Sequence, residues 1–110
     1  MSQATTGTEP LYSSLGGDPD LREIVDLFVE EMPGRVATLL AKFQSQDWEG
    51  LGCTAHQLKG AAGSYGFQAL SPAAGTLEDA IHGNEPEERI RQSLDALIDL
   101  CQRARGGMPT

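Results

Sequence analysis

Apolar residues recur along this chain at intervals of three and four, and strand-like alternation is absent. That spacing places them on single faces of α-helices. Asp18-Pro19 has the form of an N-cap followed by proline at the first helical position, and Leu21, Ile24, Val25, Phe28 and Met32 continue as one face. Pro33-Gly34 is expected to break or restart that helix, with Val36, Leu39, Leu40 and Phe43 forming a second amphipathic segment. Asp47 caps a helix predicted from about Trp48 to Ser64, whose inward stripe is Leu51, Ala55, Leu58, Ala62 and Tyr65. Ser71-Pro72 introduces the next, with Leu70, Ala73, Leu77 and Ile81 inward and its end at His82-Gly83. Asn84-Glu85-Pro86 opens the last, which carries Ile90, Leu94, Leu97, Ile98 and Cys101 on one face. Short connections between amphipathic helices imply antiparallel neighbours. The expected fold is therefore all-α: an antiparallel up-and-down four-helix bundle with an additional short N-terminal helix. It occupies residues 18–105, between a flexible polar arm (1–17) and a frayed tail (106–110). Leu11, Tyr12 and Leu15 are the arm residues able to pack back onto the domain.

Composition narrows the function classes. The chain has 110 residues, 39% hydrophobic and 22% charged, which suits one soluble domain with one modest core. No apolar run approaches the ~20 residues of a membrane span, and the N-terminus lacks a secretory pattern. The net charge of −8 disfavours nucleic acid and anionic membranes as partners. Cys53 and Cys101 suggest no disulfide framework, and free thiols in a cytoplasmic protein are expected. The charge is also unevenly spread: from 50 to 77, the 28 positions between Glu49 and Glu78, the one formally charged residue is Lys59.

That stretch contains A-H-Q-L-K-G-A-A-G-S-Y-G-F, residues 55–67. A glycine inside a helix costs roughly 0.5–1 kcal/mol relative to alanine, so Gly60, Gly63 and Gly66 need a reason. His56 lies about 100° round the helix from Ala55, outside the buried stripe. It shares a second row with Gly52, Lys59, Gly60 and Gly63 at helical neighbour spacing. An imidazole with an ordinary pKa of about 6.5 is largely neutral near pH 7 and has a nucleophilic ring nitrogen. Glycines beside it would let another protein approach closely, and Lys59 would offer a charge to phosphate oxygens. The bland alternative is that the small residues serve close helix packing and His56 merely covers an edge.

The run Ala55-His56-Gln57-Leu58-Lys59-Gly60-Ala61-Ala62-Gly63-Ser64-Tyr65-Gly66 resembles the signature of histidine-containing phosphotransfer domains, which are four-helix bundles. The resemblance extends over about residues 18–105. It implies that His56 accepts a phosphoryl group, that Lys59 stabilises the phosphate, and that Gly60 provides steric clearance. Ser64 and Gly66 fall on the trailing positions of the pattern. Gly52, Gly63, Ser64 and Phe67 are candidates for partner docking. The implied partners are receiver domains of a hybrid histidine kinase or of response regulators, with Mg²⁺ on the receiver and no cofactor on this chain. The implied activity is carriage of a phosphoryl group from one receiver phospho-aspartate to another receiver, by a cytoplasmic monomer. A G-x-x-x-x-G-K-[ST] phosphate loop is absent, and no acidic metal cluster is evident beside His56. The chain thus reads as a phosphotransfer intermediate and not a self-sufficient kinase.

Three other readings compete. A helical adaptor could bind receiver domains through the same face without being phosphorylated. The dimerisation hairpin of a sensor kinase also bears a histidine, but usually with an acidic residue after it and a proline soon following; here Gln57 follows, and the next proline is Pro72. A metal site could recruit Cys53, His56 and His82, although zinc typically needs four ligands or three plus water. His82 itself suits the negative end of a helix dipole, and Trp48 and Tyr65 suit core or edge packing.

Overall fold

Four helices occupy most of the chain in a computed structural model that describes residues 9–106: α1 (Pro19–Gln44), α2 (Trp48–Ser64), α3 (Leu70–His82) and α4 (Glu87–Arg103). Two predicted caps form as the sequence suggests. The Asp18 side chain accepts the Asp20 N–H at 2.9 Å, and Asp47 accepts the Gly50 N–H at 2.9 Å. Helix α3 ends at Gly83, but the left-handed residue that turns the chain is Asn84, at φ 54°.

Among the described residues the additional N-terminal helix is not a separate element. Helix α1 runs through Pro33 without interruption. Proline deprives the Val29 carbonyl of its intrahelical donor, a penalty of about 3 kcal/mol in a helix interior. Burial on both sides of the proline outweighs it: Val25, Phe28 and Met32 before it and Val36 and Leu39 after it form one continuous inward stripe. Two positions assigned to that stripe point outward instead, Ile24 at 40% exposure and Leu40 at 38%. In the first turns of α3 the buried alanine is Ala74, with the expected Ala73 only partly covered.

The core draws on all four helices, through Phe28 and Leu39, Leu51 and Leu58, Leu70 and Leu77, and Leu94 and Leu97. Phe67, in the α2–α3 connection, is also in this core at 2% exposure, stacked on Phe28 with ring centroids 5.4 Å apart. Helices α2 and α3 form the most extensively packed pair.

Ahead of α1 the chain is attached at two places. Leu11–Tyr12 (β1) pairs in parallel with Ala104–Arg105 (β2), a short ladder the periodicity did not announce. The buried Ser13 hydroxyl donates to the Tyr65 carbonyl, and the Ser14 N–H donates to the Gly66 carbonyl at 2.9 Å. Gly66 has φ +82°, and a Cβ there would meet the Ser13 and Ser14 hydroxyls at 2.6 and 2.7 Å. Both backbone conformation and space require glycine. Of the arm expected over 1–17, residues 1–8 lie outside the described residues, as do 107–110 of the tail.

Candidate functional site

The site lies on the outer face of α2. Its inward residues Leu51, Ala55, Leu58 and Ala62 are buried, which turns His56 outward with 66% of its side chain exposed. Asp47 fixes the start of the helix; the Gly50 N–H, helped by Lys42, holds its carboxylate below the usual range.

The antiparallel neighbour α3 supplies a residue that the linear pattern did not indicate. Glu78 is buried at 7% exposure and lies against α2. Its Oε2 is 2.9 Å from His56 Nδ1, and its Oε1 is 2.9 Å from Lys59 Nζ. The ammonium meets Oε1 as a charge contact outside good hydrogen-bond alignment. Contact with Lys59 lowers the Glu78 pKa and outweighs the opposing effect of burial, with His56 helping in the same direction. The same pair raises the Lys59 pKa. An ionised carboxylate can only accept hydrogen bonds. Nδ1 therefore carries the proton, and in the neutral ring Nε2 keeps its lone pair.

The carboxylate-free surroundings inferred for His56 hold along the chain but fail in space. Glu78, which closes the carboxylate-free stretch in sequence, touches the imidazole directly. A clue was available. Glu78 lies four residues after Ala74 on the inward face of an amphipathic helix, where a charged group requires a partner. Gly75 was also missed. The Lys59 stem crosses α3 there, and a Cβ on Gly75 would stand 3.3 Å from Lys59 Cδ.

The row of small residues divides. Gly52 is buried, and a Cβ on it would lie 3.4 Å from Ile81 Cγ2 and 3.8 Å from His82 Nε2. A Cβ on Gly63 would stand 3.6 Å from the Ser71 hydroxyl, which donates to the Lys59 carbonyl at 3.0 Å. A Cβ on Gly60 would meet nothing within 4 Å. Two docking candidates are therefore corrected: Gly52 lies beneath α3 side chains and Phe67 lies in the core, so neither offers a surface. Gly60, Gly63 and Ser64 remain exposed around His56.

Among the described residues, no three His, Cys, Asp or Glu side chains converge to hold a metal ion. Cys53 is exposed, whereas Cys101 is buried and its thiol is pushed up to about 12, mainly by desolvation. Likewise, no described helix is long and apolar enough to cross a membrane.

A family model described as the Hpt domain matches residues 23–107. The chain belongs to the Hpt domain family. Comparison with curated proteins and with solved structures gave no match. Membership carries the general activity of the family, histidine phosphotransfer in two-component phosphorelay, and interaction with receiver domains. The helical bundle agrees with it.

Proposed function

We propose that this Hpt protein accepts a phosphoryl group on His56 Nε2 from a receiver-domain phospho-aspartate and passes it to the aspartate of another receiver. One observation carries the reading: an exposed imidazole whose Nδ1 is tied to a buried carboxylate, which leaves Nε2 as the available nucleophile. In the forward step the Nε2 lone pair attacks phosphorus. The N–P bond forms while the bond from phosphorus to the aspartyl oxygen breaks, and the aspartate leaves as carboxylate. Positive charge developing on the ring is stabilised by Glu78 across the Nδ1–H bond. Lys59, one turn along and sharing the same carboxylate, supplies charge to the phosphoryl oxygens. Open space over Gly60 admits the partner's reacting loop. The Mg²⁺ required belongs to the receiver, and the chain works as a cytoplasmic monomer that carries phosphate without making it.

The test is transfer from purified phosphorylated receivers. Wild-type protein should acquire acid-labile label, and His56→Gln should acquire none while keeping its helical content and melting temperature. Equal receiver binding by both proteins with label on neither would favour an unphosphorylated adaptor and sink the carrier reading.

A further inference from the structure

We infer that Glu78 exchanges cations when His56 is phosphorylated: it pairs with the Lys59 ammonium in the free protein and with the protonated His56 ring in the phosphoprotein, which releases Lys59 to the phosphoryl oxygens. This rests on the carrier reading above and adds what the buried carboxylate does in each half of the cycle.

The free protein shows the first arrangement. Glu78 is buried, with Lys59 Nζ at 2.9 Å from Oε1 and His56 Nδ1 at 2.9 Å from Oε2. A carboxylate buried this far needs a compensating charge, because a buried pair that loses one partner is strongly destabilised. The ring does not supply that charge while it acts as a nucleophile, since Nε2 must then offer a lone pair and the ring is neutral. Lys59 is therefore the counter-charge before phosphorylation.

Two features make this pairing reversible. The ammonium meets Oε1 outside good hydrogen-bond alignment. The Lys59 side chain is also 40% exposed, so its flexible stem can leave without opening the core. Its resting course depends on Gly75 of α3, where a Cβ would stand 3.3 Å from Lys59 Cδ. Gly75 is thus a positioning residue for the resting pair. The other ionisable groups along this seam are Glu49 and Cys53 on α2 and Asp79 and His82 on α3, and none of them pairs with the His56 ring among the described residues. Across the groove on α1, Glu31 and Arg35 pair with each other.

Phosphorylation reverses the requirement. Once Nε2 is bonded to phosphorus and Nδ1 keeps its proton, the ring is a cation against Oε2, and Glu78 no longer needs Lys59. The phosphoryl oxygens are new anionic acceptors one turn from Lys59, suited to charge-assisted bonds from an ammonium. The Nδ1 proton then governs release. When a receiver aspartate attacks phosphorus, the O–P bond forms, the N–P bond breaks and its electron pair returns to Nε2. With Nδ1 protonated the departing group is neutral imidazole; without that proton it would be imidazolate, a far poorer leaving group. One proton stays on Nδ1 through acceptance and release, held by Glu78.

Phosphoramidate, a small donor that labels His56 without docking, supplies the phosphoprotein for the test. Donation from phosphorylated wild type and phosphorylated Glu78→Gln to one receiver is followed across the range in which imidazole titrates and above it. The receiver's own titration cancels in the ratio of the two rates. An amide cannot hold the ring proton by charge, so the rate of the variant relative to wild type should fall about tenfold or more between about pH 6 and 9. The NMR signal of the Lys59 ammonium reads the exchange directly and should move on phosphorylation. Gly75→Ala leaves every ionisable group in place, which keeps the test decisive should Glu78→Gln not fold. It should shift the ammonium signal in the free protein and leave that of the phosphoprotein where wild type has it. A rate ratio independent of pH would overturn the ring–carboxylate pair in the phosphoprotein. An ammonium signal that phosphorylation does not move, or that Gly75→Ala shifts equally in both states, would overturn the exchange. Failure of every receiver to pass phosphate to or from His56 would overturn the carrier reading, and the ammonium signals of the phosphoramidate-labelled protein would still decide the exchange.

Discussion

Helix α2 has two flanks built to opposite designs. Against α3 the contact is closed: Gly52 lies under Ile81 and His82, Gly63 faces Ser71, and Glu78 is buried between the helices while holding both His56 and Lys59. Against α1 it is anchored at one end, where Phe28 meets Tyr65, and elsewhere leaves a groove. The closed flank fixes the orientation of the imidazole. The open flank leaves room for a visitor. A row of small residues that looks uniform along one helix therefore serves two ends, helix packing at the buried Gly52 and open surface at Gly60.

Enlarging Gly52 should break the closed flank and give the largest effect on folding. Alanine is tolerated, because its Cβ would stand 3.4 Å from Ile81, an ordinary contact. Leucine must displace Ile81 and the His82 ring. Overpacking of this kind costs about 1–3 kcal/mol, which for a domain near 100 residues lowers Tm by roughly 4–8 °C per kcal/mol. Thermal melts of Gly52→Ala and Gly52→Leu measure this. Equal melting temperatures would show that α3 does not press on Gly52.

Glu78→Gln tests the same flank with little change in volume. The amide can still accept from Nδ1–H, but it cannot balance charge on the ring or pair with Lys59. Receiver transfer to His56 should slow by about tenfold, the low end of the loss seen when the carboxylate behind a metal-ligating histidine is removed. Stability supplies a second readout. The folded-state pKa of Glu78 lies below its unfolded value, so its contribution is present above the ordinary glutamate range and is lost as pH falls from that range through the depressed folded-state value. Lys59 has a raised pKa, so its share is complete below the ordinary lysine value and is lost only in strong alkali. Denaturant titrations from pH 3 to 7 should therefore show a steeper acid loss in wild type than in Glu78→Gln. Parallel curves would refute the ionised pairing.

These two variants mark what could be read from the chain. Helix positions, the caps at Asp18 and Asp47 and the outward placement of His56 follow from spacing within single segments, and local periodicity reports such features well. Pro33 misled, because proline states a local preference and the stripe from Val25 to Leu39 is a tertiary fact. Glu78 stayed hidden for a related reason. It is 22 residues from His56 in sequence, and only the antiparallel register of α2 on α3 brings them to 2.9 Å. Gly66 carried a signal with the wrong addressee: its missing side chain makes room for Ser13 and Ser14 of the same chain, not for a partner.

Gly60 sharpens the comparison from the open side, with the smallest effect on folding. Its neighbourhood is empty within 4 Å, and it lies inside regular helix without positive φ. Replacement by alanine then brings no clash and removes the conformational freedom glycine has when unfolded. Gly60→Ala should raise stability by about 0.5–1 kcal/mol, opposite in sign to Gly52→Leu. Leucine should fold as well, since its side chain projects into solvent, yet it would occupy the space above the turn next to His56. Receiver transfer should then fall in Gly60→Leu while phosphoramidate labelling persists, with Gly60→Ala between the leucine variant and wild type. A Gly60→Leu protein that is stable and transfers at the wild-type rate would mean that the open surface beside the imidazole is not where the partner sits.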